Sequence, residues 1–155
     1  MLAFAYRVSF DGFIFLLDHA NLAFHEAGHV FFGILGPALG LYGGTLGQLV
    51  FPVVVTESFL RKGAPVSAAL TLMWLFQNFL NISRYMADAR AQRLPLVGGG
   101  DHDWFIILSR WGALSADTTL ARTLSALAWL GMLATSFWIG IMWYRARASF
   151  KTTAR

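Results

Sequence analysis

Four apolar segments, separated by short polar stretches, dominate the sequence and restrict what this chain can fold into. They cover residues 21–39, 45–60, 66–86 and 124–144. The first, third and fourth are each close to the roughly 20 residues that a helix needs to cross a bilayer. We therefore expect an all-α, polytopic membrane protein, organised as a single membrane-embedded domain over residues 1–155.

The composition supports a membrane location and argues against other classes. Of the 155 residues, 57% are hydrophobic and only 13% are charged, and the mean hydropathy of +0.57 lies outside the range of ordinary globular domains. The basic residues behind the net charge of +4 flank the apolar segments instead of forming a dense stripe. We interpret them as an orientation signal and expect the lipid bilayer, not nucleic acid, as the partner. The absence of cysteine excludes thiolate zinc sites and a cysteine nucleophile.

The second apolar segment has two interpretations, because a string of glycines precedes it and Pro52 lies within it. Small residues let membrane helices approach closely, whereas glycine and proline also permit an irregular turn at membrane depth. In the first case residues 45–60 cross the membrane; in the second they form a re-entrant segment. We expect three to four transmembrane segments, with this one the candidate for re-entry. The glycines are Gly33, Gly36, Gly40, Gly43, Gly44 and Gly47.

A short motif in the first apolar segment points to metal chemistry. Residues 25–29 read H-E-x-x-H, and positions i and i+4 share one face of a helix, so His25 and His29 can present imidazole nitrogens to one metal ion. Glu26 then lies beside a metal-bound water. Such a motif also occurs by chance, but charged groups in an apolar segment cost roughly 2.5 to 3.5 kcal/mol each. We therefore expect a metal site, with Glu26 as the catalytic base.

The third metal ligand depends on the topology. If residues 45–60 cross fully, the first and third segments run parallel, and His25 and Asp88 are separated by about 27 Å at a rise of 1.5 Å per residue. If the segment turns back, Asp88 lies level with His25. We favour the re-entrant version, with Asp88 as ligand and His102 as a further ligand; Glu57 is the alternative for a full crossing. The candidates considered are Glu57, Asp88, Asp101, His102 and Asp103.

Ordinary structural roles compete with several of these assignments. Asp88 could pair with Arg84, and Glu57 with Arg61, each at a helical spacing of four. The polar triplet 101–103 follows three glycines, so it could fold back over a metal or remain an ordinary loop. The apolar stretch 105–114 is too short to span a bilayer, and we expect it to lie in the interface or to pack as a short helix.

The motif and the polar end of the third segment resemble the site-2 protease class of intramembrane zinc metalloproteases, especially its small bacterial members. In that class a later N-x-x-P-x-x-x-x-D-G motif supplies the third ligand. The nearest match here is residues 81–89, where Arg84 replaces the proline, Asp88 comes one residue early and Ala89 replaces the glycine. The stretches 44–48, 85–92 and 102–104 also resemble a small bacterial membrane-protein family usually grouped beside these proteases.

The resemblance implies one Zn²⁺ per chain, with another divalent metal as the alternative, and cleavage of a membrane protein or peptide by metal-activated water. Asn81 or Gln48 would hold the substrate backbone or an oxyanion. The implied location is the bacterial inner membrane, with the basic C-terminus cytoplasmic.

A non-proteolytic role is the competing hypothesis. A chain of 155 residues with about three spans leaves little room for a substrate groove. The alternative function is a metal-binding sensor, assembly factor or complex subunit, with a partner subunit or a second copy of the chain bound to it.

Overall fold

A computed structural model describes residues 15–96 and 101–153, and this part of the chain contains helices and no strand. The all-α expectation is confirmed for these residues. The glycines at 98–100, which precede the polar triplet, lie outside the described residues. The helices are α1 (Phe15–Gly33), α2 (Pro37–Arg61), α3 (Pro65–Ala87), α4 (Asp103–Arg110) and α5 (Asp117–Thr153), with a 3₁₀ turn at Leu114–Ala116.

The first three helices run up, down and up, because tight turns join them. Residues 34–36 link α1 to α2, and Gly36 has a φ of 125°, which only glycine adopts readily. Gly63, with a φ of 64°, lies in the equally short link from α2 to α3. Pro37 and Pro65 then begin the next helices, where a missing N–H costs nothing.

Helix α2 is continuous, so the preference for a re-entrant second segment is wrong. Its 25 residues extend about 37 Å, more than the roughly 30 Å of a bilayer core. Pro52 lies inside the helix without ending it. One turn later the Thr56 hydroxyl donates to the Pro52 carbonyl at 2.7 Å. Glycine and proline thus leave the helix intact, and the glycines serve the close approach of helices.

Five glycines form a seam between α1 and α2, where the two backbones touch. Gly28 and Gly33 of α1 face Gly40, Gly43 and Gly47 of α2, and we call these residues the glycine seam. A Cβ atom on Gly43 would lie 2.5 Å from the Gly28 carbonyl oxygen. Van der Waals packing drives helix association in lipid, and small residues allow the closest packing. The interpretation of the glycine string as a close helix contact is therefore confirmed.

Apolar side chains fix α4 and α5 against α3. One cluster joins the end of α3 to α4, which packs as a short helix as expected, and a second joins the middle of α3 to α5. An ion pair of 2.7 Å between Arg90 and Asp117 fixes the start of α5 beside the end of α3. The first cluster contains Ile82, Met86, Ala89, Trp104, Ile107, Leu108 and Ala121, and the second contains Met73, Leu80, Ala128 and Met132.

Two helices of the described part are long and apolar enough to cross a membrane: α2 and the stretch Leu114–Ser149, most of which is α5. Only 22% and 17% of their apolar windows are buried inside the protein, whereas the core helix of a soluble protein would be mostly buried. Their exposed side chains include Val50, Val53 and Val54 on α2 and Leu127, Leu130 and Phe137 on α5.

The glycine seam generates a prediction that compares two substitutions in α1. A Cβ on Gly28 would collide with the carbonyl oxygen of Gly43, whereas one on Gly33 would meet only the Cα of Gly40, at 4.0 Å. We expect Gly28→Ala to destabilise the protein by about 1–3 kcal/mol, as overpacking does. Gly33→Ala should be neutral or slightly stabilising, because alanine favours helices. Thermal unfolding in detergent micelles measures both, and equal melting temperatures would contradict the seam.

Candidate metal centre

The H-E-x-x-H motif lies in the middle of α1, on the face that packs against α2. Both imidazoles point toward α2, where Gly44 offers no side chain and leaves space for them. A Cβ on Gly44 would lie 2.5 Å from the Nε2 atoms of both His25 and His29. His25 is only 7% exposed, and His29 is partly buried. The close contact between the helices therefore brings the two rings together beside the α2 backbone.

Contacts of the Nδ1 atoms determine which ring nitrogen of each histidine carries its proton. His25 Nδ1 lies 3.2 Å from the Oε1 atom of Gln48, and His29 Nδ1 lies 2.8 Å from the carbonyl oxygen of Gly40. Both oxygens can only accept a hydrogen bond, so each Nδ1 carries a hydrogen. In a neutral imidazole the other nitrogen, Nε2, then has a free lone pair. This is the usual arrangement of metal-binding histidines, whose second nitrogen donates to a protein oxygen.

Asp103, the first residue of α4, completes a group of three potential ligands. Its Oδ2 atom lies 2.9 Å from His25 Nε2 and 3.1 Å from His29 Nε2, and the two Nε2 atoms are 3.0 Å apart. The Tyr85 hydroxyl accepts the Asp103 backbone N–H at 3.2 Å. This bond links the start of α4 to α3 beside the histidines.

Three atoms that can each offer a lone pair thus meet in one small space. Either a proton on an Nε2 atom, which would make an ion pair with Asp103, or a metal ion can bridge them. A metal ion would contact all three atoms at once. Tetrahedral zinc with bonds of about 2.0–2.1 Å separates its ligand atoms by about 3.3–3.4 Å, close to the distances between His25, His29 and Asp103. The group His25, His29 and Asp103 could therefore hold a metal ion.

A cavity of about 860 Å³ opens beside this group. Its lining includes all three potential ligands, and Glu26, adjacent to His25 in sequence, also lines it. Leu22, Leu94, Pro95, Leu96 and Ile106 contribute an apolar part of the wall. A metal ion at the three ligands would thus share a space with a carboxylate that can exchange protons and with room for an elongated ligand.

The structure does not bring Asp88 into the group. Asp88 follows the end of α3, and its two carboxylate oxygens accept the backbone N–H groups of Arg93 and Leu94 at 3.0 and 2.9 Å. The end of α3 does lie beside the histidines, since the Tyr85 ring contacts the His25 ring, but the Asp88 carboxylate caps the following loop.

His102 lies next to the group in sequence but has a different role. Its Nδ1 atom accepts the backbone N–H of Phe105 at 3.3 Å and so caps the start of α4. A neutral His102 therefore carries its proton on Nε2, which lies 3.7 Å from Asp88 Oδ2, and cannot offer a lone pair there. Burial of the ring lowers the pKa of His102, although Asp88 and Asp103 act in the opposite direction.

The remaining candidates have structural partners or lie at the cavity wall. Glu57 forms the expected ion pair with Arg61 at 2.7 Å on the exposed surface of α2. Gln48 and Asn81 line the cavity, and the Gln48 amide donates to Asn81 Oδ1 at 3.0 Å. Their role in substrate binding stays a prediction. Asp101 lines the cavity but is exposed.

Asp103 is one of several candidates in the sequence, and no local signal separates it from His102. Trp104, Ile107 and Leu108 have helical spacing, which predicts a helix that begins near residue 103. Aspartate is a favoured N-cap residue and histidine is not, so the local pattern would assign the cap to an aspartate. In the structure His102 holds the cap position, and the Asp103 side chain faces His25 and His29.

No family model matches this sequence, and no curated protein or solved structure matches the chain.

The ligand set generates a prediction that separates Asp103 from Asp88. We expect Asp103→Asn to lower the affinity for Zn²⁺ by more than about 100-fold, because even an outer-shell partner is worth 10–100-fold. The matched Asp88→Asn substitution should leave the affinity close to that of the wild type. Competition with a chromophoric chelator measures both in purified protein. A larger loss for Asp88→Asn would contradict the group seen here.

Gly44 provides an independent test of the position of the ion. A Cβ there would occupy the space in front of both Nε2 atoms, so Gly44→Ala should expel the metal without breaking α2. The control is Gly140→Ala in α5, where an added Cβ meets nothing within 4 Å. Metal content by elemental analysis and helicity by circular dichroism are the measurements. A metal-replete Gly44→Ala protein would show that the ion lies elsewhere.

Proposed function

We propose that this protein is a membrane-embedded metal-dependent peptidase, with His25, His29 and Asp103 as ligands and Glu26 as general base. The observation that carries the proposal is the convergence of three lone-pair atoms, 2.9 to 3.1 Å apart, in the wall of a cavity that Glu26 also lines. A purely structural metal site is usually closed by four protein ligands. Three ligands beside an open cavity leave a position for water or substrate.

The positions of the metal group and of Glu26 suggest what each would do in peptide hydrolysis. A bound divalent metal would lower the pKa of a coordinated water to about 7, so that hydroxide is available at neutral pH. Glu26 follows His25 directly on α1 and is partly buried in the cavity wall, so its carboxylate can accept the proton of the attacking water. The same carboxyl group can then donate that proton to the leaving amine.

We propose Zn²⁺ as the metal. Two imidazole nitrogens and one carboxylate oxygen match the ligand set of many catalytic zinc sites. The same ligands also suit iron, manganese or nickel, so metal analysis of the purified protein decides the identity.

We propose that the protein is integral to a membrane, with three to four crossings. The exposed apolar residues of α2 and α5 suit contact with lipid, and α1 and α3 are near the length of a span. Near the end of α5, Arg147 lies over the ring of Trp143 at 4.6 Å, a combination favoured at the headgroup level. Arg145 and Arg147 would mark the cytoplasmic side, and the bacterial inner membrane is the proposed location.

The substrate we propose is an extended segment of a membrane protein or an apolar peptide. The apolar part of the cavity wall suits apolar side chains, while the metal group and Glu26 supply the polar part. A scissile peptide bond must leave its helix to reach such a site, because helical carbonyl groups are already hydrogen-bonded.

Substitution of Glu26 tests the proposed mechanism. Glu26→Gln keeps the shape of the side chain but removes its ability to accept a proton, so we expect cleavage to fall by about 10²–10⁴-fold. The zinc content should not change, because Glu26 is not a ligand. The measurement is cleavage of a quenched-fluorescent library of apolar peptides in detergent micelles, alongside elemental analysis. Retained cleavage by Glu26→Gln would rule out the assigned base.

Measurements on the wild-type protein distinguish a peptidase from a non-proteolytic metal-binding subunit. If it binds one zinc ion, cleaves no peptide of the library and copurifies with a stoichiometric partner, the peptidase proposal fails. A non-proteolytic metal-binding subunit then takes its place.

A further inference from the structure

A chain of side-chain hydrogen bonds leads away from the metal group and links α1, α2 and α3. His25 Nδ1 donates to Gln48 Oε1 at 3.2 Å, Gln48 Nε2 donates to Asn81 Oδ1 at 3.0 Å, and Asn81 Nδ2 donates to Asp18 Oδ1 at 2.9 Å. Every donor in this chain faces away from the metal group. We call it the first branch.

A second branch ends at the same carboxylate oxygen. Trp74 Nε1 donates to Asn21 Oδ1 at 3.0 Å, and Asn21 Nδ2 donates to Gln77 Oε1 at 2.8 Å. Gln77 Nε2 then donates to Asp18 Oδ1 at 3.3 Å. The indole N–H can only donate, so this branch is fixed at both of its ends.

Burial keeps most members of the two branches from exchanging their partners for water. Asn21 is fully buried, and Gln77, Asp18 and Gln48 are 2%, 3% and 4% exposed. Asn81 and Trp74 are partly buried, and Asn81 also lines the cavity. An unpaired amide in a buried place costs about 1–3 kcal/mol, so the buried members are held to the orientation that satisfies their neighbours.

The Oδ1 atom of Asp18 accepts from both branches and determines the direction of the first. A carboxylate only accepts, so Asn81 must turn its NH₂ group toward Asp18 and its oxygen toward Gln48. Gln48 must then donate to Asn81 and present its oxygen to His25. An imidazole that faces this oxygen must carry its proton on Nδ1, which leaves the Nε2 lone pair for a metal.

We propose that Asp18 is a positioning residue that sets the tautomer of His25 through Asn81 and Gln48, and thereby sets the affinity of the site for its metal. The inference deepens the proposed function, because it rests on the metal site, but it does not depend on hydrolysis. Asp18 acts in the metal-free protein as well, since the direction of the branch exists without an ion.

Two substitutions interrupt the first branch in different ways. Asp18→Asn replaces the group that can only accept by one that both accepts and donates, so the branch can run in either direction. Asn81→Leu keeps a similar volume but removes the link between Asp18 and Gln48. We expect each to lower the affinity for Zn²⁺ by about 10–100-fold, the usual effect of an outer-shell partner. Chelator competition in detergent micelles is the measurement.

Trp74→Phe is the matched control. It keeps an aromatic ring next to Phe24 and Phe51 but removes the donor at the far end of the second branch. Because the first branch stays intact, the affinity for Zn²⁺ should stay at the wild-type level. An equal loss in Trp74→Phe would mean that the polar core merely supports folding, and would overturn the proposal.

A double substitution tests whether Asp18 acts on His25 through Asn81 or whether Asp18 and Asn81 affect zinc binding independently. If Asp18 acts through Asn81, the protein with both Asp18→Asn and Asn81→Leu should bind Zn²⁺ about as weakly as Asn81→Leu alone. Independent contributions would multiply the two losses instead. Multiplied losses would overturn the proposal even if each single variant behaves as expected.

The tautomer of His25 can also be observed directly in the metal-free wild-type protein, where no substitution can disturb folding. With ¹⁵N-labelled histidine at about pH 8, above the ordinary pKa of a free imidazole, His25 should carry its proton on Nδ1. Asp18→Asn should shift part of the population toward Nε2. A wild-type His25 protonated on Nε2 would overturn the proposal. Peptide cleavage enters none of these measurements, so they stand or fall separately from the peptidase proposal.

Discussion

The contact between the α1 and α2 backbones at the glycine seam is the interaction on which the site depends. It brings the Gly40 carbonyl within 2.8 Å of His29 Nδ1 and places Gly44 where any side chain would fill the space in front of the two Nε2 atoms. Larger residues at the seam would separate the helices and remove both effects. Close packing, which membrane helices use for association, here also shapes the candidate metal centre.

Helix α1 is held differently on its other side, where polar side chains connect it to α3. Asp18 and Asn21 of α1 bond to Gln77 and Asn81 of α3, and Asp18, Asn21 and Gln77 are buried. Such bonds between membrane helices contribute only about 0.6 kcal/mol each on average. Their main consequence is orientation: each amide has one permitted direction, and that direction extends to the imidazole of His25.

The sequence predicted the parts of this arrangement that depend on local pattern, including the two histidines on one helix face, the close glycine contact and the short helix after residue 102. It did not predict the course of α2, because glycine and Pro52 are compatible with a turn as well as with a helix, and only packing against α1 decides between them. Helix α1 also begins before the apolar segment, since Asp18 is buried by partners on α3. The third ligand depends on how α4 docks, which no local pattern encodes.

His25, His29 and His102 show how the atom that faces Nδ1 decides which histidine can offer Nε2 to a metal. The Nδ1 atoms of His25 and His29 face oxygen acceptors, so their Nε2 lone pairs are free. The Nδ1 atom of His102 faces a backbone N–H at the start of α4, so a proton occupies its Nε2. Spacing pairs His25 with His29 but does not exclude His102 as a further ligand. The atom that faces Nδ1 distinguishes the three histidines. For His25 that atom is the Gln48 side-chain oxygen, and the Asp18 carboxylate, acting through Asn81, keeps this oxygen turned toward His25.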